Sequence, residues 1–161
     1  MQIFKAPMNF QELDRSAEMY RAQILNTQKK VRFGPFKGHH YEWDSPTVVA
    51  RSSALKLDRS YPGYSHTGYS NSFHGEVKIA LEGIAINNEI GRRGDYRGSP
   101  IHPVGRCAEQ HSADRCIFKN VNRIHINDLI FSIPLYTRTG EILAYCENCK
   151  RVFPNLRNVK V

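Results

Sequence analysis

Two short segments contain the residue types of a metal centre. The first is Cys107-Ala108-Glu109 and the second is Cys146-Glu147-Asn148-Cys149. Three thiolates can hold Zn²⁺ and leave one coordination position open for water, and a carboxylate beside that position can transfer protons. The two segments therefore predict a hydrolytic zinc site, with Cys107, Cys146 and Cys149 as ligands and Glu109 as the acid and base.

Two helix starts and one strand are expected to position these residues. An alternating apolar pattern predicts a strand at 128–137, between a helix that Cys107 opens and a helix that Cys146 opens. This order places both helix N-termini at one edge of a sheet, where free backbone N–H groups and a partial positive charge lower the pKa of cysteine. Glu109 is about 200° around a helix from Cys107, so both can reach one metal only if Cys107 lies in the first turn.

A second motif competes for the catalytic role. His74-Gly75-Glu76 opens a helix predicted at 73–90, and zinc-dependent deaminases also use His-x-Glu ahead of a Cys-x-x-Cys pair. Cys107-Ala108-Glu109 lies closer to Cys146, and the predicted strand fills most of the interval, as a helix-strand-helix unit requires. We therefore favour Cys107-Ala108-Glu109 and expect His74 to be a surface residue at a helix start.

Cys116 tests the alternative of a closed, structural zinc site with four cysteines. Its spacing from Cys107 corresponds to about 900° of helix rotation, which places it on the opposite helix face. Ile117 and Phe118 beside it indicate a buried thiol of the core. A structural zinc site stays an alternative, because Cys-x-x-Cys pairs are common.

Composition limits the class of protein. The 161 residues are about the length of one domain, and 40% hydrophobic residues can form a core. A net charge of +8 favours an anionic partner, most often nucleic acid, although a basic protein without such a partner is left open. No apolar run approaches the roughly 20 residues of a membrane span, and the first residues lack a signal-peptide pattern, so we expect a soluble domain. Four cysteines are too few for a disulfide scaffold.

The N-terminal region is predicted to contain a helix and then short strands. Apolar residues recur every three or four positions from Phe10 to Ile24, and the helix is expected to end at Lys29-Lys30. Short β-branched or aromatic runs predict strands at 31–33, 41–43 and 47–49.

Two predicted loops could guide nucleic acid. The loop at 61–71 carries three tyrosines, which could stack on unpaired bases at about 1–3 kcal/mol each or simply fold back onto the surface. The glycine-rich loop at 91–103 contains Arg92, Arg93 and Arg97, which could contact a phosphate backbone or remain solvated.

These motifs resemble a known family. His102-Pro103-Val104-Gly105-Arg106-Cys107-Ala108-Glu109, followed by Cys146-Glu147-Asn148-Cys149-Lys150, is similar to the cytidine-deaminase-like superfamily, and most similar to its bacterial polymorphic-toxin branch of YwqJ-like deaminases. Phe73-His74-Gly75-Glu76-Val77-Lys78-Ile79-Ala80-Leu81 is similar to a helix that precedes the Cys-Ala-Glu motif in that branch. The resemblance covers 73–161 and departs from the superfamily at Tyr145, where proline is usual.

The resemblance implies an α/β fold, a cytidine-deaminase-like α/β/α sandwich with a mixed central sheet, to which this chain adds an N-terminal helix. We expect a single deaminase domain over 1–161, with an N-terminal region at 1–72 and the zinc-site core at 73–161. The resemblance implies Zn²⁺ held by Cys107, Cys146 and Cys149, with Glu109 moving protons during hydrolytic deamination of cytosine to uracil. The expected substrate contacts are His102, Ala108, Tyr69 and Arg97.

The expected substrate is a base within nucleic acid, first of all cytosine in single-stranded DNA. The basic charge and the two loops favour a polynucleotide, whose target base must be unpaired or flipped to enter a pocket. Duplex DNA, RNA, a free nucleotide and adenine stay alternatives, as does a structural-zinc nucleic-acid-binding domain. The toxin branch implies interbacterial competition by a secreted or delivered domain that acts in the target-cell cytoplasm and has an immunity protein. We also expect a monomer without membrane contact.

Overall fold

Helices and a small sheet make up the protein, whose computed structural model describes 8–32, 47–65 and 73–159. The helices are α1 (Phe10–Arg32), α2 (Gly75–Ile84), α3 (Ala108–Lys119) and α4 (Glu147–Val152). The strands are β1 (Val48–Ala54), β2 (Tyr61–Tyr64), β3 (Leu129–Phe131) and β4 (Leu135–Tyr136). The predicted mixture of helix and strand is therefore confirmed at this level.

Strand β1 is the centre of the sheet. It pairs with β2 on one side and with both β3 and β4 on the other, and each of these strand pairings is antiparallel. Val49 illustrates the arrangement, since it lies opposite Tyr64 of β2 and also opposite Leu135 of β4. Strand β2 is thus at one edge of the described sheet.

The sheet has helices on both of its faces. Leu13 of α1 packs with Ile130 on one face. Leu129 and Phe131 lie in the main core on the other face, together with buried residues of α2, α3 and α4. The alternation along β3 follows from the strand period of two, which sends successive side chains to opposite faces. The N-terminal helix and the cysteine-bearing helices are therefore separated by the sheet.

The strand predicted at 128–137 forms in the right place but is not continuous. Between β3 and β4, the Ser132 N–H donates to the Arg51 carbonyl at 2.8 Å, and the Ser132 hydroxyl accepts from the Arg51 N–H at 2.8 Å. A side chain thus takes over a position in the ladder that a backbone carbonyl would fill. Pro134 then has no N–H to donate. These two residues explain the interruption.

Predictions for the N-terminal region were partly wrong. Helix α1 continues through Val31 and Arg32, so the strand predicted at 31–33 is wrong at these two residues. The strand predicted at 47–49 exists and extends to Ala54. The loop predicted at 61–71 begins with strand β2. The predicted strand at 41–43 lies outside the described residues.

Helix α2 is shorter than the predicted helix at 73–90. It ends at Ile84, and a 3₁₀ turn follows at Ile86–Asn88. Asn87 and Asn88 both have a φ of 55°, a left-handed conformation that asparagine tolerates better than most residues and that an α-helix cannot contain. Within the described ranges, no helix combines the length and apolar character needed to cross a membrane.

Candidate metal centre

Cys107 and Cys146 occupy equivalent positions at the starts of two helices. Cys107 is the N-cap of α3, with φ −71° and ψ 144°, and Cys146 is the N-cap of α4, with φ −73° and ψ 160°. The prediction that each cysteine segment opens a helix is confirmed. Because an N-cap residue precedes the first helical turn, the Cys107 side chain and the Glu109 side chain can point to one centre.

A close approach of α3 to the sheet sets the position of Cys107. Gly63 of β2 packs directly beneath the start of α3, and a Cβ atom at this residue would lie 2.2 Å from the Ala108 carbonyl oxygen and 2.4 Å from the Ser112 nitrogen. Real Cβ atoms do not come this close to backbone atoms. A residue without a side chain is therefore required at this point for the helix start to reach its observed depth.

Gln110 connects the two cysteine segments. The Gly105 N–H donates to Gln110 Oε1 at 2.9 Å, and Gln110 Nε2 donates to Cys149 Sγ at 3.7 Å. Gly105 has a φ of 101°, which glycine adopts readily and which forms the turn before Cys107. One fully buried amide thus holds the turn before α3 and contacts a sulfur at the start of α4.

Three cysteine sulfurs converge. Cys107 Sγ lies 3.0 Å from Cys146 Sγ, and Cys146 Sγ lies 3.4 Å from Cys149 Sγ. These separations exceed the roughly 2.05 Å of a disulfide bond, and all three cysteines are free. The structure therefore brings the three predicted ligands together.

The proton distribution in this cluster favours one thiolate. Hydrogen bonds from the Cys107 thiol and then the Cys149 thiol hold the pKa of Cys146 well below its ordinary value. The pKa of Cys107 is raised chiefly by its hydrogen bond to Cys146, and that of Cys149 chiefly by burial. The Cys149 N–H also contacts Cys146 Sγ at 3.4 Å. Binding of a metal would release the protons that the other two thiols hold.

Glu109 places a buried carboxyl group beside the sulfurs. Its side chain is 4% exposed, and its Oε2 atom lies 3.7 Å from Cys149 Sγ. Burial, and then the negative charge of Cys146, raise the pKa of Glu109 to about 7. A carboxyl group with this pKa can both accept and donate a proton near neutral pH, as a general acid and base must.

His102 also reaches the cluster. Its Nε2 atom lies 3.6 Å from Cys107 Sγ, and the ligand atoms of His102, Cys107 and Cys146 all lie within 4.8 Å of one another. A second group with the same spacing contains Cys107, Glu109 and Cys149. The sequence prediction of His102 as a substrate contact missed this proximity to the sulfurs. Its only sequence signal is its position in the turn ahead of Cys107.

A cleft of about 340 Å³ opens over the cluster. His102, Ala108 and Glu109 are in its wall, as are two of the three cysteines. The cleft residues that sequence reasoning did not identify come from several segments: Thr47, Val48, Ser65, Arg106, Pro134, Tyr136, Leu143 and Ala144. Arg106 could have been suspected from its position beside Cys107. The others reach the cleft through the sheet and its connecting loops.

One predicted substrate contact, Arg97, does not line the cleft. Arg97 is exposed on the loop before α3 and is not among the cleft residues. Its neighbour Tyr96 fixes this loop to α4, because the Tyr96 hydroxyl donates to Asn148 Oδ1 and the Arg151 guanidinium lies 4.3 Å from the ring centroid. Tyr69 lies outside the described residues.

The competing His74-Gly75-Glu76 motif has structural contacts instead. The His74 N–H donates to Asp114 Oδ1 at 2.8 Å, and the His74 ring lies 4.4 Å from the Phe118 ring centroid. Glu76 accepts the Ile126 N–H at 2.7 Å. These contacts join α2 to α3 and to the turn before β3. The motif is not part of either group of ligand atoms found in the described residues.

Cys116 does not complete a four-cysteine site. It is fully buried in the main core, and burial raises its pKa to about 12. It is not part of either ligand group in the described ranges. The prediction of a buried core thiol is confirmed.

The chain matches no protein-family model, no curated protein and no solved structure. The donor set itself indicates which metal would fit. Thiolates with an added imidazole or carboxylate suit Zn²⁺, whose Zn–S bonds of about 2.3 Å place tetrahedral sulfurs roughly 3.8 Å apart. The observed sulfur separations of 3.0 Å and 3.4 Å are shorter than that value by less than roughly 1 Å. The residues present therefore fit zinc.

Proposed function

We propose that this protein is a zinc-dependent deaminase that converts cytosine to uracil in nucleic acid, most of all in single-stranded DNA. The observation that carries the proposal is the position of Glu109. A buried carboxyl group with a pKa of about 7 lies beside three converging cysteine sulfurs at an open cleft. A purely structural zinc site has no use for such a group, whereas hydrolytic chemistry requires one.

Cys107, Cys146 and Cys149 would hold the metal. When bound, Zn²⁺ supplies Lewis-acid activation of a water molecule, which lowers the pKa of that water from 15.7 to about 7. The backbone N–H of Cys149 and the Gln110 amide both contact cluster sulfurs and would stabilise the thiolates. The helix N-termini of α3 and α4 add partial positive charge at the same place.

Glu109 would carry protons between water and substrate. Its carboxylate accepts a proton from the attacking water and delivers it to the pyrimidine ring nitrogen, and a second transfer protonates the leaving amine. Water is the only co-reactant that this reaction needs. The C4–N bond breaks, a C4–O bond forms, ammonia leaves and a carbonyl group remains on the ring. Its position in the cleft wall, with Oε2 3.7 Å from Cys149 Sγ, would allow Glu109 to reach both the metal centre and a base in the cleft.

The cleft suits one unpaired base. Its volume of about 340 Å³ is at the lower end of the range for small-molecule sites, roughly 300–1,000 Å³. Leu143, Pro134 and Ala144 give it apolar surface, and Ser65 and Thr47 supply hydroxyl groups. A base that is stacked and paired in a duplex cannot enter such a pocket, so a polynucleotide substrate would present a flipped or single-stranded base.

Positive charge near the cleft supports a nucleic-acid substrate. The chain has a net charge of +8. Arg106 lines the cleft itself, and Arg115 lies 5.7 Å from the centroid of the Tyr64 ring, next to the cleft residue Ser65. Arginines bind phosphates without reading sequence, and a neighbouring tyrosine can stack on a base. Duplex DNA, RNA, free nucleotides and adenine remain alternative substrates.

The finer fold assignment belongs to the same proposal. We infer a cytidine-deaminase-like sandwich because helices cover both faces of the sheet and cysteine-capped helices flank one cleft. The parallel strand pairs of a mixed sheet are not found among the described strands. The toxin-branch resemblance supports a delivered toxin domain that acts in the cytoplasm of a competing cell and is neutralised by an immunity protein. We propose separately that the protein is a monomer.

One observation favours a second candidate, a structural-zinc domain that binds nucleic acid. His102 lies close enough to Cys107 and Cys146 to complete a Cys₃His ligand set, which is the pattern of closed structural sites. In such a protein Glu109 would have no chemical role. This candidate therefore predicts nucleic-acid binding that does not depend on Glu109.

Ammonia release from cytosine-containing substrates separates the two candidates. The purified, zinc-loaded protein should release ammonia, and the Glu109→Gln variant should lose at least about 10²-fold in rate, because general acid–base catalysis contributes that much or more. Zinc content measured on the same samples should be equal in both proteins. Equal zinc and equal ammonia release in the variant, or no release from either protein, would reject the deaminase.

A further inference from the structure

We propose that His102 is a displaceable fourth ligand that closes the metal centre until substrate enters the cleft. The proposal rests on the proposed function for its last step, the opening of the site by nucleic acid. The first step, ligation by His102, depends only on the geometry of the side chains.

The distance from His102 to Cys107 matches shared ligation. Bond lengths of about 2.3 Å to sulfur and about 2.05 Å to imidazole nitrogen, at a tetrahedral angle, place the two ligand atoms roughly 3.6 Å apart. The observed separation of His102 Nε2 and Cys107 Sγ is 3.6 Å. The imidazole nitrogen is therefore already at the distance from the sulfur that binding to one shared metal ion would require.

His102 and Glu109 contact different sulfurs. His102 Nε2 lies 3.6 Å from Cys107 Sγ, whereas Glu109 Oε2 lies 3.7 Å from Cys149 Sγ. His102 is half-buried in the cleft wall, and Glu109 is almost fully buried. If His102 bound the metal it would fill the fourth position, and the Glu109 carboxyl would remain buried beside Cys149. A water molecule can take that position beside Glu109 only after His102 leaves.

The loop that carries His102 has few backbone contacts to lose. Ser99 donates to the Tyr96 carbonyl at 3.3 Å, and Val104 donates to the Arg92 carbonyl at 2.8 Å. The Arg93 guanidinium also donates to the Ser99 and Pro100 carbonyls, at 3.2 Å and 3.4 Å. The segment is therefore held at its ends and at Pro100. Between them, Ile101 and His102 donate no backbone hydrogen bond to the described residues, and a proline has no N–H to donate.

Two glycines flank the same segment, and one residue within it is highly exposed to solvent. Gly98 and Gly105 have φ values of 85° and 101°, and Ile101 is 86% exposed. Glycine adopts positive and negative φ values about equally well, so the backbone at both ends of the segment can change conformation at low cost. The side chain of His102, rather than the backbone of its loop, would therefore provide the main contact that keeps the centre closed.

X-ray absorption at the zinc edge tests the ligation directly. The resting wild-type protein should show three sulfur ligands and one imidazole nitrogen, and the His102→Ala variant should show three sulfurs with an oxygen in place of the imidazole. His125→Ala is the matched control, because His125 contacts Glu76 on the surface and is not in either ligand group. It should keep the wild-type spectrum. Three sulfurs and an oxygen in the resting wild type would overturn the proposal.

Displacement is tested with the Glu109→Gln variant, which should bind substrate without consuming it. A cytosine-containing single-stranded oligodeoxynucleotide is added at a saturating concentration, and the zinc-edge spectrum is measured again. The imidazole ligand should disappear, and a single oxygen or nitrogen ligand should take its place. Retention of the imidazole with bound oligonucleotide would overturn displacement. If the wild-type protein also failed to deaminate cytosine, the proposed function would be rejected as well. If it deaminated cytosine but had no imidazole ligand before substrate was added, only this inference would be rejected.

Kinetics provide a second readout. Removing a competing ligand raises the fraction of the protein that can bind substrate, so His102→Ala should lower KM by about two- to tenfold and leave kcat unchanged at saturating oligonucleotide. A residue that only positions substrate would instead raise KM or lower kcat when removed. A fall in kcat for His102→Ala, with His125→Ala unchanged, would therefore contradict the closing role.

Discussion

Cys107 Sγ lies 3.0 Å from Cys146 Sγ, although 39 positions separate the two residues in the chain. Each cysteine caps a helix, so the contact joins the N-terminus of α3 to that of α4. Two helix starts bring unpaired N–H groups and partial positive charge to the same point, which favours anionic ligands such as thiolates. This convergence makes the cluster a candidate metal centre.

Zinc retention should depend on the clustered cysteines and not on the fourth one. Cys146→Ser should reduce zinc content well below about one ion per chain after dialysis against a weak chelator, because a central sulfur of the cluster is lost. Cys116→Ala is the matched control, since Cys116 lies in the core. It should keep its zinc and lose stability only. Metal analysis of the dialysed proteins measures this, and zinc loss in both variants would refute a three-cysteine site.

Thiol reactivity should show that Cys116 is protected in the folded protein. Its pKa is raised to about 12 by burial, so at pH 8 it is almost entirely in the unreactive thiol form. After zinc removal, iodoacetamide should modify the partly exposed Cys146, whose pKa is lowered within the cluster, in the folded protein, and Cys116 only after denaturation. Peptide mass spectrometry locates the modified residues. Rapid modification of Cys116 in the folded chain would contradict the burial assigned to it.

The close approach at Gly63 should be sensitive to a single methyl group. Gly63→Ala forces a Cβ atom to within 2.2 Å of the Ala108 carbonyl oxygen, and it should lower the free energy of unfolding by about 1–3 kcal/mol. It should also weaken zinc binding, because α3 must shift together with Cys107.

Gly83→Ala is the control for that substitution. A Cβ atom at Gly83 meets nothing within 4 Å, and the residue lies in α2. The change should therefore be neutral or add up to about 1 kcal/mol to stability. Urea denaturation of both variants measures the difference. Equal stabilities would show that the α3 start does not need the glycine.

Arg106 and Arg97 should differ in their effect on nucleic-acid binding. Arg106 lines the cleft, whereas Arg97 is exposed outside it. Arg106→Ala should weaken binding of a single-stranded oligonucleotide. It should also lower the slope of log affinity against log salt concentration by about the amount that one phosphate contact contributes. Arg97→Ala should change neither quantity. Fluorescence anisotropy across a salt series measures both quantities. A larger effect at Arg97 would restore the original sequence prediction and place the substrate path over the loop before α3.

Local signals predicted the parts of the site that are close in sequence. Cys107 and Cys146 were expected at helix starts, and both are N-caps, because the helix-strand-helix order is readable from apolar periodicity. His102 was expected to contact substrate, and its approach to the Cys107 sulfur was not predicted. That approach depends on how a loop without regular structure folds back, which no periodic pattern reports.

Strand β2 was missed for a related reason. Pro62 and Gly63 indicated a loop, since both residues usually interrupt strands. At an edge strand, however, a proline need not donate on its open side, and the glycine is required by the helix start that packs on it. Both residues were judged from local preference, whereas the tertiary contact with α3 decides their conformation.

Conversion of cytosine to uracil in single-stranded DNA is the most direct test of the central claim. The zinc-loaded protein and its Glu109→Ala variant would each be incubated with single-stranded DNA, duplex DNA and RNA, and the products sequenced. The account predicts C-to-T reads in single-stranded DNA with the wild-type protein, and none with the variant, although both proteins bind equal zinc. The absence of C-to-T reads in every polymer, with zinc fully bound to the wild-type protein, would contradict it.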